Sequence, residues 1–169
     1  MEISLLKWDK ALTSDLVRIC NSVERRYLSD RIPFPYTEAD AESWLGMIAE
    51  HDGMDGLFRA ISVNGEIAGT ISFEPGADVY RKSGELGYML LEKCRSQGVM
   101  SEAVARFCPS VFEQLDIERI TAYVYAPNLA SRRVLEKNGF SYEGTMKKAV
   151  WKSERFYDQC VYGLLRIGD

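Results

Sequence analysis

The sequence predicts an α/β (α+β) fold in which helices pack on one mixed β-sheet, and three observations carry that prediction. Leu57–Val63 and Glu66–Phe73 are strand-like runs joined by Asn64-Gly65, whose positive φ angles suit the type I′ turn of a hairpin. Ala103, Val104, Phe107, Cys108, Val111, Phe112 and Leu115 recur at helical spacing directly after another strand-like run at Glu85–Leu91. Strands and helices then alternate to the end of the chain, as in a layered sheet-and-helix structure. A length of 169 residues fits one domain spanning 1–169.

Each element has its own signal. Ile3–Trp8 alternates weakly and reads as a first strand. Thr13 and Ser14 are candidate N-caps for a helix carrying Leu16, Val17, Ile19, Cys20 and Val23. Pro33 and Pro35 forbid its continuation through Asp30–Tyr36. Thr37 and Asp40 form a capping box for a second helix, with Ala41, Trp44, Leu45 and Ile48 inward and a glycine-rich stop at Gly53–Gly56. After the hairpin, Gly87 inside the Glu85–Leu91 strand suggests a bulge or a close backbone approach. Pro109 should kink the long helix near Ala105 or divide it. Ile117–Tyr125 is a further strand. Asn128 caps a short helix that ends at Asn138-Gly139, where Gly139 suits the left-handed position and Phe140 can touch Leu135. Phe140–Glu143, Met146–Lys152 and Phe156–Leu165 read as three closing strands.

Composition removes several classes of function. Hydrophobic residues make up 46% and charged residues 27%, an ordinary globular balance. The formal net charge of -4 argues against a general nucleic-acid surface. No apolar run approaches the roughly 20 residues of a membrane span, and the first residues lack the features of a secretory signal. Cys20, Cys94, Cys108 and Cys160 are far apart and His51 is the one histidine, so no metal site is expected. The cysteines read as buried thiols in a reducing cytoplasm, and His51 as a solvated loop residue.

Two segments carry chemistry. Arg95-Ser-Gln-Gly-Val-Met-Ser101 joins a strand to a helix N-terminus, where backbone N–H groups and the helix dipole favour an anion. Gly98 permits close approach of a bulky anion, and Arg95 adds a permanent cation. A routine connection between a strand and a helix would look the same. In Asn128–Phe140, Asn128 is an N-cap, Ser131 lies in the first turn, and Arg132, Arg133 and Lys137 are candidates for phosphate contacts or simply a solvated face.

Taken together, Gly84-Glu-Leu-Gly-Tyr-Met-Leu-Leu91, the Arg95–Gly98 turn, Asn128–Phe140 and Phe156-Tyr-Asp-Gln-Cys-Val-Tyr-Gly-Leu164 resemble the GNAT superfamily of acyl-CoA N-acyltransferases. The resemblance covers about Leu57–Leu165 and leans toward the branch with the ribosomal-protein N-terminal alanine acetyltransferases. It implies a mostly antiparallel, splayed sheet whose Glu85–Leu91 and Arg119–Tyr125 strands part into a V. It also implies acetyl-CoA as co-substrate. The CoA arm would meet backbone near Met89, Leu90 and Leu91. Its pyrophosphate would rest on Arg95, Ser96, Gln97, Gly98, Val99, Met100 and Ser101. Asn128 would meet the pantetheine arm or a water, and Ser131 would sit near the thiol.

Two positions depart from the family pattern. Met100 stands where Gly or Ala is usual, and its longer side chain would narrow the pyrophosphate seat. Leu135 stands where many relatives carry a tyrosine general acid, leaving Ser131 to steady the thiolate that departs. Amide formation also needs a group to take the proton of the ammonium. Glu85 is the candidate base, against the reading of a solvent-facing strand residue, with the N–H of Leu90 or Leu91 as donor to the developing oxyanion. Tyr36, Trp151 and Tyr157 are candidates to line the acceptor pocket beside Glu85. The expected activity is acetyl transfer to a primary amine, either a protein or peptide N-terminus or a small polyamine, amino sugar or antibiotic. A CoA-binding module with weak catalysis is the reading from another class. Monomer and homodimer both remain open.

Overall fold

The computed structural model describes residues 1–168, and the chain runs β1 (Ile3–Lys7), α1 (Thr13–Ser22), α2 (Glu38–His51), β2 (Leu57–Val63), β3 (Glu66–Pro75), β4 (Ser83–Leu90), α3 (Val99–Gln114), β5 (Arg119–Tyr125), α4 (Leu129–Lys137), β6 (Ser141–Lys152) and β7 (Arg155–Leu165). All seven strands join one sheet in the order β1-β2-β3-β4-β5-β7-β6. Five of its six pairings are antiparallel and one, β4 with β5, is parallel. The hairpin turn has φ of 51° at Asn64 and 86° at Gly65, as its type I′ sequence requires.

The sheet is covered on both faces. The α1–α2 layer packs Leu16, Ile19, Ala41, Leu45 and Ile48 on Phe58, Ala60, Met89 and Leu91. The α3–α4 layer buries Val104, Phe107, Val111 and Leu135 against Ile71, Phe73, Leu86, Leu90, Ile120 and Val124. Alternate side chains of β4 therefore serve opposite layers, as strand geometry demands.

Several local expectations change. Asp9 accepts a hydrogen bond from the N–H of Ala11 at 2.7 Å and starts a short 3-10 turn, Lys10–Leu12, that leads straight into α1. Thr13 and Ser14 are thus inside the helix rather than its caps. The Thr37–Asp40 capping box forms in full. His51 closes α2 instead of lying in a loop, with Nδ1 2.6 Å from Asp55 Oδ1. Gly87 pairs with Ser72 in unbroken register, and a Cβ there would meet only Ser72 Oγ at 3.5 Å, so it marks neither bulge nor close approach.

Pro109 does not divide α3, which runs continuously from Val99 to Gln114. Pro109 and Ala105 both lie on the exposed side, so the carbonyl that loses its partner is turned to water rather than to the core. The two closing strands expected at 140–152 are one strand, β6, whose register shifts between Tyr142 and Gly144 and between Met146 and Val150. Those bulges are what the sequence shows as a gap. At the end of α4, Gly139 has φ of 80°, and the N–H of Phe140 reaches Leu135 O at 3.1 Å, with both side chains buried.

Candidate active site

The parallel contact between β4 and β5 lasts only from Ser83/Arg119 to Glu85/Thr121, after which the strands diverge. The hydrogen-bond phase of the neighbours shows what the split exposes. Leu91 donates to Ala68 O at 2.9 Å and Gly76 to Ser83 O at 2.8 Å, so odd-numbered residues of β4 spend their backbone groups on β3. Those of Leu86, Tyr88 and Leu90 face the gap. On the opposite wall, the N–H of Ala126 reaches Asp158 O at 2.9 Å, which assigns even-numbered residues to β7 and leaves Tyr123 and Tyr125 facing the gap, although the Tyr125 carbonyl already accepts from the N–H of Asn128 at 2.8 Å. Of the three residues Met89, Leu90 and Leu91, only Leu90 therefore offers backbone to the opening. The Leu91 N–H is already bonded and cannot serve as an oxyanion donor.

A cleft of about 1660 Å³ runs through this opening. At one end lies the Arg95–Ser101 turn. Ser96 and Gly98 have φ of 59° and 81°, and helical bonding of α3 begins only with Glu102 N–H to Gly98 O at 3.0 Å. The amides of Val99, Met100 and Ser101 thus have no helical acceptor and form an anion seat at a helix N-terminus. Met100 is 8% exposed and packs into the α3–α4 core while also bordering the cleft, so most of its side chain is spent on packing rather than on the seat. Gln97 is turned away, donating from its amide to Lys93 O at 2.8 Å, and is not part of the cleft wall. Arg95 is held by Leu90 O, 3.3 Å from Nε.

The facing wall comes from α4. Asn128 Oδ1 caps the helix by accepting from the N–H of Ser131 at 3.3 Å. Arg133 and Lys137 line the cleft, whereas Arg132 points to the sheet, donating to Tyr162 Oη at 3.0 Å and Ala126 O at 3.3 Å. Arg95, Arg133 and Lys137 make this end cationic, and no carboxylate joins them in its wall among the described residues. Asn138 Nδ2 joins the helices by donating to Ser101 O and Oγ at 3.2 and 3.3 Å.

Ser131 sits where the walls come close. Its hydroxyl is 2.7 Å from that of Tyr88, which lies on the α3–α4 side of β4. Burial pushes the Tyr88 phenol up to about 12, against the opposing bond from Ser131, so it stays protonated and can donate. The sequence alone gave Tyr88 no role, because a tyrosine in a strand reads as core. The one available signal was its even position, which turns it to the same layer as α4.

The other end of the cleft is bounded by the segment 24–36, which several bonds fix. Lys152, almost wholly buried, donates to Leu28 O and lies 3.0 Å from Asp30 Oδ1. Asn21 bonds both N–H and O of Tyr36 at 2.8 Å, and Arg25 donates to Ile32 O. Tyr36 is 8% exposed and lines the cleft; burial, with Cys20 and Asp40 nearby, raises the pKa of its hydroxyl. Trp151 also lines it, exposed and packed on Phe156 with ring centres 4.7 Å apart. Tyr157 does not reach the opening; it backs Tyr27 and Tyr125, which do, at 6.3 and 5.4 Å.

Glu85 stands at the apex of the V, in the wall of this end. Its side chain is open to solvent, yet the surrounding walls raise its carboxyl pKa, Arg31 opposes that rise and Glu74 adds to it. The site thus combines an anion seat, a split backbone channel, a hydroxyl pair at its waist and a carboxylate of raised basicity. All four cysteines are free and buried, no cluster of metal-ligating residues occurs among the described residues, and no helix there is long and apolar enough to cross a membrane.

Comparison with known proteins agrees with this geometry. Residues 3–141 match the family described as acetyltransferase (GNAT) domain. The uncharacterized N-acetyltransferase YoaA of Bacillus subtilis is 33% identical over 101 residues, covering 60% of this chain and 56% of that protein. The ribosomal-protein-serine acetyltransferase of Escherichia coli is 29% identical over 97 residues, 57% of this chain and 54% of the relative. The chain thus spans little more than half the length of these two relatives. Among solved structures, RimL, a ribosomal L7/L12 alpha-N-protein acetyltransferase in complex with coenzyme A, superposes with a TM-score of 0.85 at 23% identity, covering 96% of this chain and 93% of that one.

Proposed function

The chain belongs to the GNAT acetyltransferase family, and from that premise we propose that it transfers an acetyl group from acetyl-CoA to the α-amine of a protein or peptide N-terminus, by direct attack in a ternary complex. One observation carries the reading. The split between β4 and β5 leaves backbone groups of Tyr88, Leu90 and Tyr123 without strand partners, in a cleft that leads from a helix N-terminal anion seat to the Glu85 carboxylate.

The residues present fit acetyl-CoA. Positive φ at Ser96 and Gly98 turns the amides of Val99, Met100 and Ser101 to a pyrophosphate, and Arg95, Arg133 and Lys137 supply cations for phosphate. Leu86, Tyr88 and Leu90 on one side and Tyr123 and Tyr125 on the other present strand-like backbone to the amide-bearing pantetheine arm. Asn128 lies beside this channel. The co-substrate supplies an activated thioester, and the chain's own groups do the rest. Glu85 takes the proton of the incoming ammonium, directly or through water. Leu90 stands five strand residues, about 16 Å, from Glu85, so the gap-facing N–H of Tyr88, about 10 Å from that base, is the donor to the carbonyl oxygen as it gains charge. The Ser131 hydroxyl, oriented by Tyr88, donates to the sulfur as it leaves. That arrangement replaces the tyrosine acid that Leu135, fully buried in the core, cannot provide.

Relatives named for ribosomal-protein and α-amino acetylation favour a polypeptide N-terminus over a free amine. Release of free thiol from acetyl-CoA is the test, measured with peptides bearing free α-amines and with a polyamine, an amino sugar and an amino-group antibiotic. Turnover confined to the small amines would replace the N-terminal reading. Saturable acetyl-CoA binding with no thiol release on any acceptor would leave a CoA-binding module instead.

A further inference from the structure

Beside the apex of the V lies a narrower cavity of about 370 Å³, walled by β3, β4, β5 and the 24–36 segment. Arg31, Glu74 and Glu85 are its charged lining residues. Glu74 and Glu85 are direct cross-strand neighbours, so their side chains project from the same face. Neither lies within ion-pair distance of a cation among the described residues, and the Arg31 guanidinium has no hydrogen bond or ion pair there. Flexible side chains of opposite sign usually close on each other, but here the backbone that carries Arg31 is fixed. Its own N–H is 3.2 Å from Ser29 Oγ, and its neighbours are anchored through Lys152, Arg25 and Asn21. Arg31 lines the same cavity as both carboxylates and lies near enough to Glu85 to oppose the rise in its pKa.

A cavity that holds one free cation opposite two free carboxylates complements a ligand carrying both signs. We propose that the acceptor presents its amine to Glu85 and Glu74 and a nearby anionic group to Arg31, so that the enzyme selects an amine with a carboxylate a few bonds away. Two sources share that chemistry: an N-terminus with an acidic side chain in its first or second residue, and a free amino acid. The inference rests on the acetyltransferase reading of the same cleft. Arg31 is then a specificity-determining residue with no part in acetyl-CoA binding, since the phosphate end has its own three cations.

The test compares kcat/KM for C-terminally amidated peptides that begin Ser-Glu, Ser-Gln and Ser-Lys, and for free glutamate, using the wild-type protein, R31Q and R31E. Ser-Glu should exceed Ser-Gln by about tenfold, the worth of one charge-assisted bond, and Ser-Lys should trail both. R31Q should bring Ser-Glu and Ser-Gln level, R31E should favour Ser-Lys, and acetyl-CoA affinity should stay constant throughout. A faster rate with free glutamate than with Ser-Glu would assign the pocket to free amino acids within the same chemistry. Equal rates on all peptides, or an unchanged Ser-Glu to Ser-Gln ratio in R31Q, would overturn the inference and leave acetyl transfer standing. No turnover on any acceptor, with acetyl-CoA still bound, would overturn the transferase reading and this inference with it.

Discussion

Replacing Glu85 with Gln should lower turnover while raising stability at neutral pH, and both signs follow from one property. The walls of the apex raise the carboxyl pKa of Glu85, so the folded protein disfavours its charged form. For catalysis that makes Glu85 a better base, and a positioned base contributes about 10²–10⁴ in rate. The lower end applies here, because Glu74 is its direct neighbour across β3 and β4 and can take part of the proton load. For stability, a raised carboxyl pKa is a penalty that is present above the folded value and vanishes below the unfolded one. Gln removes that penalty. The gain should be a fraction of the ~1.4 kcal/mol that a full unit represents, since Glu85 is open to water. The assay is kcat/KM against pH, beside acetyl-CoA affinity and thermal unfolding at pH 7. Wild-type kcat/KM should fall as pH drops through a value above the ordinary carboxylate range, and that limb should be missing in the Gln variant. Acetyl-CoA affinity should be unchanged. A variant with the wild-type rate and the same acid limb would refute Glu85 as the base.

Three further outcomes are expected. Tyr88→Phe should lower kcat about tenfold, the worth of one hydrogen bond to a group that gains charge, with acetyl-CoA affinity within a factor of two. Adding Ser131→Ala should then cost little more than Ser131→Ala alone, because the two hydroxyls act as one unit 2.7 Å apart; additive losses in a double-mutant cycle would break that link. Gly98→Ala meets no atom within 4 Å, so its whole effect is backbone strain at φ of 81°, about 1–2 kcal/mol, read as a lower melting temperature and weaker acetyl-CoA binding by calorimetry. Gly163→Ala would place a Cβ 2.5 Å from Glu143 Oε1 and 2.8 Å from Arg119 Nη1, splitting the paired bonds that cross β7 at 2.8 and 2.5 Å. Such overpacking costs about 1–3 kcal/mol. Bonding to Arg119 lowers the Glu143 pKa, so the pair's contribution is present above the ordinary carboxylate range and lost as pH falls through the lowered value. The gap between variant and wild type should therefore narrow in acid, as denaturant titrations at pH 7 and pH 3 would show.

What the sequence made legible is what local chemistry decides. The hairpin turn, the Thr37–Asp40 box and the Gly139 terminus depend on residues a few positions apart, and all three form. The Arg95–Ser101 turn was readable as a strand-to-helix junction for the same reason, because its left-handed glycine and its helix are adjacent. Long-range partners were not readable. Lys152 and Leu28 lie 124 residues apart, yet their bond helps hold the segment that carries Arg31. Tyr88 and Ser131 are 43 apart and meet only because α4 lies over the opening. Met100 looked obstructive because sequence gives a side chain's size and not its direction; helical geometry turns it into the core. Pro109 looked like a break because its cost depends on whether the released carbonyl meets water, which is a property of the packed helix.

The opening between β4 and β5 is itself the strongest argument for a ligand that resembles a strand. In an intact sheet the gap-facing groups of Leu86, Tyr88, Leu90, Tyr123 and Tyr125 would bond each other; here the pairing ends at Glu85 and Thr121. The carbonyls of Leu90 and Tyr125 accept from Arg95 Nε and the Asn128 N–H, but the Leu90 N–H and the backbone groups of Tyr88 are sheltered and lack a strand partner, and leaving such groups unpaired costs about 1–3 kcal/mol each. The layers keep the strands apart, with Met89 and Leu91 drawn into the α1–α2 core and Leu86 and Leu90 into the α3–α4 core. A thioester on an arm with two amide groups can restore those bonds, which an apolar ligand of the same length cannot. On the proposed reading, an arm held at the Arg95–Ser101 turn would run toward the apex where Glu85 stands. On this view the register that ends at Thr121 sets the reaction's position. Extending the β4–β5 pairing beyond Glu85 and Thr121 would consume the gap-facing groups one after another from the apex, shortening the channel at the Glu85 end first.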